Sequence, residues 1–101
     1  MTRSYISIRA QPGRRDELLQ VLDRLETLMA ARDQPGFFAT EIQVPIDDDE
    51  HLLVWSSWAS PEHHDRWLSG TEYEQMLQEI GDLAAEPPVV SVYRVVDAVQ
   101  A

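Results

Sequence analysis

The stretch "VWSSWASPEHHDRW", residues 54–67, holds all three tryptophans of the chain and two of its three histidines. Ser60 within it is a good N-cap, and Pro61 is a good first helical residue. The apolar run before them therefore predicts a strand, and the residues after them predict a short helix that Gly70 ends. The remaining question is whether this concentration of aromatic and titratable side chains builds a site or fills a core.

Two strands and a turn precede this helix. The segments "FFATEIQVP" (37–45) and "HLLVWSSWA" (51–59) are typical of strands, and the acidic turn "IDDDE" between them predicts a hairpin. Farther toward the N-terminus, "YISIRA" (5–10) alternates between apolar and polar residues, as a strand with one buried face does. Between residues 14 and 33 the apolar residues recur at helical spacing: Leu18, Val21, Leu22, Leu25, Leu28 and Met29.

A second helical segment and a last strand follow Gly70. Thr71 and Glu74 have the spacing of a capping box. Pro87-Pro88 ends the helical region, and "VVSVYRVV" (89–96) is the last strand. The order β-α-β-β-α-β predicts an α+β, ferredoxin-like fold, in which helices cover one face of an antiparallel sheet. We expect a single domain over residues 1–101.

The strands carry apolar residues on both faces. In the last strand Val89, Val90, Val92 and Val95 populate both sides, whereas a sheet with one wet face should alternate cleanly. Two helical segments can cover only one face. We therefore expect a homodimer joined sheet to sheet.

Composition excludes several classes of partner. The formal net charge is −10, from 18 acidic and 8 basic residues, and every one of the latter is arginine. This balance argues against nucleic acid or an anionic membrane as a partner, since both need a concentrated positive patch. The absence of cysteine excludes disulfides and thiolate chemistry. Without a signal-like start or a stretch long enough to span a membrane, a cytoplasmic protein is the expectation.

Four features in this order resemble the antibiotic biosynthesis monooxygenase family of the dimeric α/β barrel superfamily. They are Pro12-Gly13 after the first strand, Pro35-Gly36-Phe37 before the second, Trp58-Ala59-Ser60 ending the third, and the helix entered from Ser60-Pro61-Glu62. The resemblance spans roughly residues 4 to 97. It implies a dimer with an apolar pocket between sheet and helices in each monomer. It also implies oxidation of a small aromatic molecule such as an anthrone or hydroquinone by O2, with no metal, flavin or other cofactor.

Two residues are candidates for the chemistry, Trp58 from the resemblance and His64 from its position and its titration, since anthrone-oxidising relatives carry a tyrosine at the position of His64. Trp58 matches the tryptophan that lines the pocket of anthrone-oxidising relatives, and its indole N–H could point toward a developing oxyanion. His64 shares an inward helix face with Trp67 and Leu68. A histidine there could act as general base on an acidic C–H or O–H and then as acid to the peroxide. The alternative is a buried neutral histidine bonded to a backbone carbonyl.

Other residues are candidates for the pocket wall, although core packing explains each of them too. They are Trp67, Tyr73 and Met76 from the helical region, and Phe38 and Ile8 from the sheet. Arg94 needs a partner, because valines flank it. It could neutralise a substrate phenolate or, as we expect, form a salt bridge with Glu41 on another strand.

The chain also departs from several relatives. Val54 stands where an anthrone-oxidising relative has asparagine. Ile6 and Leu77 stand where haem-degrading relatives carry an asparagine and the iron-ligating histidine, so the resemblance does not extend to haem degradation. Adjacent His63 and His64 diverge on a helix and cannot form a metal pair, and the acidic run 47–50 is most simply a solvated turn.

Two other functions remain open at this point. A polyketide cyclase or isomerase on the same fold would use His64 for proton transfer without consuming O2. A small dimer that only binds a ligand would need the tryptophans as core alone.

Overall fold

The fold is a four-stranded antiparallel sheet with helices on one side. The computed structural model describes residues 1–24 and 32–100. The elements within those residues are β1 (Thr2–Arg9), α1 (Arg15–Arg24), β2 (Phe37–Gln43), β3 (His51–Trp58), α2 (Pro61–Leu68), α3 (Thr71–Ile80) and β4 (Val89–Arg94). The α+β fold and the ferredoxin-like order of elements are confirmed. The predicted helix over 14–33 is confirmed at its start, whereas Leu25, Leu28 and Met29 lie outside the described residues.

The strand order in the sheet is β2-β3-β1-β4, and all neighbours are antiparallel. The central strands are β1 and β3. In their register Ile6 lies opposite Val54, and Thr2 lies opposite Trp58. The predicted hairpin between β2 and β3 is confirmed, and the crossover helices place both central strands under the helix layer.

The core lies between this face of the sheet and the helices. The alternation predicted for β1 is confirmed, because Ile6, Ile8 and Ala10 are buried while the residues between them are half-buried on the other face. The helices contribute the apolar residues that share one side of each helix, as their spacing predicts: Leu18, Val21, Leu22, Trp67, Tyr73, Met76 and Ile80.

The junction between β3 and α2 is held by a serine cap and by contacts with Gly36. Ser60 is extended, at φ −154° and ψ 161°, and its hydroxyl oxygen accepts a hydrogen bond from the His63 backbone N–H at 3.3 Å. The Ala59 N–H also donates to the Gly36 carbonyl at 2.7 Å. Gly36 has φ +77°, and a Cβ there would collide with the His63 ring. The end of β3 and the start of α2 are therefore held together.

Two local predictions were wrong. Gly70, rather than Thr71, is the N-cap of α3, and no side chain caps that helix. Thr71 is already helical, and its hydroxyl donates to the Glu72 carboxylate at 3.4 Å, so no capping box forms. The last strand also ends at Arg94, which leaves Val95 and Val96 outside it.

No helix among the described residues covers the second face of the sheet. We call it the open face; its members on the central strands and on β4 include Tyr5, Leu53, Trp55 and Tyr93. The Arg3 guanidinium lies 5.1 Å from the Trp55 ring centre. Tyr5, Leu53 and Tyr93 help line a shallow cleft of about 340 Å³. The expectation that apolar residues occupy both faces is confirmed. Among the described residues, no helix is long and apolar enough to cross a membrane.

Candidate functional site

Two aromatic side chains and a buried histidine pack against Trp58 where β3 passes into α2. Trp58 and His64 have no exposed surface, and Trp67 has very little. The Trp58 ring centre lies 5.9 Å from that of His64 and 6.4 Å from that of Trp67, while Phe37 meets Trp58 edge-on at 5.5 Å. The structure thus brings together the three residues that the sequence singled out in this stretch, and adds Phe37.

The His64 imidazole is buried without hydrogen-bond partners. Neither ring nitrogen is hydrogen-bonded to any described residue, and the closest approach of a carboxylate oxygen is that of Asp65 Oδ1, 3.8 Å from Nδ1. Burial lowers the pKa of His64 below its ordinary value of 6.5, an effect that Asp65 opposes only in part. The ring is therefore neutral at neutral pH and offers one N–H and one free lone pair. The alternative of a histidine bonded to a backbone carbonyl does not occur here.

The indole of Trp58 is not free to serve a ligand in the way the sequence suggested. Its N–H donates to the Ser56 hydroxyl at 2.9 Å, two residues back along β3 and on the same face. A serine hydroxyl can accept two hydrogen bonds and donate one. The donor that faces the interior is therefore the Ser56 O–H, which the bond from Trp58 polarises.

Hydroxyl groups form a row across the helix-covered face of the sheet. Thr40 on β2 lies opposite Ser56 on β3, which in turn lies opposite Ser4 on β1; we call these three residues the hydroxyl row. Ser4 is completely buried, and its hydroxyl has no partner among the described residues. Sequence reasoning missed this row. Extending the alternation of "YISIRA" by one residue toward the N-terminus would have placed Ser4 on the inner face.

Comparison with known proteins identifies the family and agrees with the fold. The model of the antibiotic biosynthesis monooxygenase family matches residues 1–79. The chain belongs to that family. A comparison with functionally curated proteins found no match.

Solved structures with the same fold come from several organisms. A protein from Nitrosomonas europaea, provisionally named an antibiotic biosynthesis monooxygenase, is 13% identical; the match covers 96% of this chain and all of that one, with a TM-score of 0.83. One from Deinococcus radiodurans, provisionally given the same name, is 17% identical over 100% of this chain and 98% of that one, with a TM-score of 0.84. A third from Chloroflexus aurantiacus is 22% identical over 98% and 96%, with a TM-score of 0.73. At these identities the likeness concerns the fold.

The remaining pocket candidates of this antibiotic biosynthesis monooxygenase family member are divided among three places. Met76 and Ile8 are buried in the core. Tyr73 is nearly buried, which raises the pKa of its phenol, and it helps line a cleft of about 550 Å³ beside Pro87 and Pro88. Phe38 is 57% exposed at an irregularity of β2. It does not join the others, and its neighbour Phe37 contacts Trp58 in its place.

The predicted salt bridge between Arg94 and Glu41 was wrong. β4 and β2 are the two outer strands of the sheet, with β1 and β3 between them. Glu41 instead accepts a hydrogen bond from the Gln43 side chain at 2.6 Å. Arg94 is exposed opposite Thr2, at the same end of the sheet as Trp58, and no ion pair joins it to a described residue.

His63 and the acidic turn, which the sequence analysis considered as metal ligands, have hydrogen-bond or ion-pair partners nearby in the chain. His63 lies with Nδ1 2.7 Å from the Ser60 hydroxyl. In the acidic turn, the Asp48 carboxylate accepts the Glu50 backbone N–H at 2.8 Å and lies 3.5 Å from His51 Nδ1. Within residues 1–24 and 32–100, no three His, Asp or Glu side chains come together as a metal site would require.

Proposed function

We propose that this protein is a cofactor-independent monooxygenase that oxidises a small aromatic, phenolic molecule of the anthrone or hydroquinone type with O2. The observation that carries the proposal is the neutral, fully buried His64 imidazole beside Trp58, with neither ring nitrogen in a hydrogen bond. A buried polar group without partners costs free energy in the resting protein. Such groups are more often found where a ligand completes the hydrogen bonding.

The chemistry asks little of the protein besides proton transfer. His64 would take a proton from an acidic C–H or O–H of the substrate, and the resulting electron-rich anion supplies the electrons that reduce O2. The carbanion carbon and one oxygen form a bond, and the His64 imidazolium returns its proton to the peroxide. Loss of the second C–H proton with cleavage of the O–O bond leaves a carbonyl on the substrate. That proton and the departing hydroxide make water, so one oxygen atom enters the product.

The aromatic side chains supply the apolar surroundings that this reaction requires. Trp58 meets the imidazole edge-on, and Trp67 and Phe37 pack in turn against Trp58, which offers ring surfaces to an aromatic substrate. His64 and Trp58 have no exposed surface, so substrate reaches His64 only when neighbouring side chains move. We assign Arg94, at the end of the sheet, to attraction of a phenolate.

We infer that the working unit is a homodimer through the open face. Large apolar and aromatic side chains remain exposed on or beside this face, among them Val89 and Tyr93 at 58% and 59%. The sheet face also carries two of the eight arginines, Arg3 and Arg9. Arg9 is paired with Glu50 and Glu86, and Glu41 lies on the same face, so the interface rests on its apolar side chains rather than on its charges.

The test of the monooxygenase is oxygen uptake on a panel of anthrones and hydroquinones. We expect enzyme-dependent uptake that His64→Ala lowers by about a hundredfold or more, as removal of a general base does. Trp58→Phe should cause a smaller loss, on the order of several-fold. The matched control is His63→Ala on the same helix, which should retain activity.

Three other results would contradict the monooxygenase or the role of His64. Substrate consumption without oxygen uptake would replace the monooxygenase by a cyclase or isomerase that uses His64 for proton transfer. Binding of the same compounds without turnover would indicate a ligand-binding dimer. Full activity in His64→Ala would remove His64 from the mechanism.

A further inference from the structure

The hydroxyl row places polar side chains in a largely apolar interior. The neighbouring row on the same face of the sheet, one step farther from Trp58, is entirely aliphatic: Ile42, Val54, Ile6 and Val90. At the hydroxyl row the corresponding positions are Thr40, Ser56 and Ser4, and the row ends in Val92. Opposed residues on antiparallel neighbours have Cβ atoms about 4.5–5.5 Å apart. The Ser4 and Ser56 hydroxyls are therefore close enough to contact one oxygen atom.

Two of these hydroxyls have unused donors. The Thr40 hydroxyl donates to the Trp55 carbonyl at 2.7 Å, which occupies it. Ser56 accepts from Trp58, and its own hydrogen has no acceptor among the described residues. Ser4 has no partner among them at all. Two buried O–H donors consequently lie on the inner face of the sheet, close to Trp58.

Solvent lies one strand away from these donors. Val92 lies directly opposite Ser4 on the outer strand β4 and is 45% exposed, although it occupies the helix-covered side of the sheet. Arg94 follows on the same side and is exposed as well. The helix layer thus leaves the edge of β4 uncovered where the hydroxyl row ends.

We propose that Ser4 and Ser56 form the subsite that binds the oxygen substituent of an aromatic ligand, which enters across the edge of β4 past Val92. Two O–H donors in apolar surroundings suit an acceptor oxygen, a carbonyl or a phenolic oxygen, on a flat ring that lies against Trp58. This subsite determines which substituted arenes bind. It rests on the proposed function only in taking the ligand to be a phenolic aromatic molecule.

The test compares 1-naphthol with naphthalene by equilibrium dialysis under nitrogen, so that binding is measured without turnover. We expect the wild type to bind 1-naphthol more tightly than naphthalene. Ser4→Ala and Ser56→Ala should each weaken 1-naphthol binding by about three- to tenfold, the value of one neutral hydrogen bond, and leave naphthalene within about twofold. The control is Ser57→Ala, a buried serine that points to the open face and accepts from Arg3 at 2.5 Å; it should leave both affinities unchanged.

Thermal unfolding of the free protein separates a ligand subsite from a structural hydroxyl. Ser4→Ala should keep or raise the Tm, since it removes a buried hydroxyl that has no partner. Ser57→Ala should lower the Tm, because it removes one that is bonded. A Tm loss in Ser4→Ala as large as that in Ser57→Ala would overturn the proposal.

The dialysis results distinguish the subsite from the reaction. An unchanged preference for 1-naphthol in both serine variants would overturn the subsite, and so would a wild type that binds neither compound or shows no preference. A preference that is lost in the serine variants supports the subsite. Should such a protein take up no oxygen on the panel, only the monooxygenase would be overturned.

Discussion

The proposed chemistry depends on one buried imidazole, that of His64. His64 is held inside because it shares a helix face with Trp67 and packs on Trp58. Its neutral form is the one that burial tolerates, because transfer of a charged ring from water into apolar surroundings is costly. The same burial that keeps the ring ready to accept a proton therefore makes the fold sensitive to acid.

We expect His64 to weaken the folded state as the pH falls below about 6.5. Its folded-state pKa is lowered by burial, so between that pKa and 6.5 the unfolded chain binds more protons than the folded one. The stability due to neutral His64 is complete above 6.5 and is lost on acidification, by at most about 1.4 kcal/mol per pH unit. Urea unfolding between pH 5 and 7.5 should show a steeper decline for the wild type than for His64→Leu.

A neighbouring histidine provides the control for this titration. His63→Leu retains His64 and should keep the wild-type slope. Parallel stability curves for the wild type and His64→Leu would contradict the prediction, because the carboxylates common to both proteins would then explain all the acid sensitivity.

The sequence could predict which residues face the core only where local periodicity indicated it. The inward position of His64 follows from its spacing to Trp67 and is confirmed. The partner of the Trp58 indole did not follow, because Ser56 reads as an ordinary polar strand residue until the register places it inside. The exposure of Phe38 arises from an irregularity in the pairing of β2 with β3, which has no signal in the sequence.

The junction between β3 and α2 positions His64 beside Trp58. Ser60 ends one element and caps the next, and it also lies within hydrogen-bond distance of His63 Nδ1. His64 lies three residues after Pro61, at the end of the first turn of α2. A change in the cap would therefore shift the imidazole relative to Trp58.

We expect Ser60→Ala to lower the free energy of unfolding by about 1 kcal/mol, as loss of a serine N-cap does. Thr71→Ala is the matched control at the start of the following helix. Because Gly70 is the N-cap there and Thr71 is already helical, alanine should leave stability unchanged or raise it by a few tenths of a kcal/mol. Urea unfolding of both variants measures this, and an equal loss in the two would mean that a capping box forms at Thr71 after all.

The order of elements was predictable from the sequence. Side-chain pairs between strands were not, because they depend on which strands are neighbours in the sheet. Periodicity, Pro-Gly punctuation and caps are local signals, and the strands and helices they indicated are present. The Arg94–Glu41 pair failed because it depends on which strands lie side by side. That is a long-range property, and the order β2-β3-β1-β4 puts the two residues on opposite edges.

The whole molecule is asymmetric between the two faces of its sheet. One face is closed by helices over a core that includes Ile8, Leu52 and Trp58, all without exposed surface. The other leaves Tyr5, Leu53 and Tyr93 around a shallow cleft. A contiguous aromatic and aliphatic surface of this kind on a small acidic protein typically marks an interface.

We expect the wild type to sediment at micromolar concentration with about twice its mass of 11.6 kDa. Leu53→Asp would place a carboxylate in the centre of the open face, where a second copy would have to desolvate it beside its symmetry mate; isologous contact doubles every such charge. This variant should sediment as a monomer.

Gln78→Asp, on the exposed side of α3, adds the same charge elsewhere and should remain a dimer. A monomeric wild type would refute the interface. A dimeric Leu53→Asp would move the interface to another surface and leave the exposed aromatic residues of the open face to some other partner.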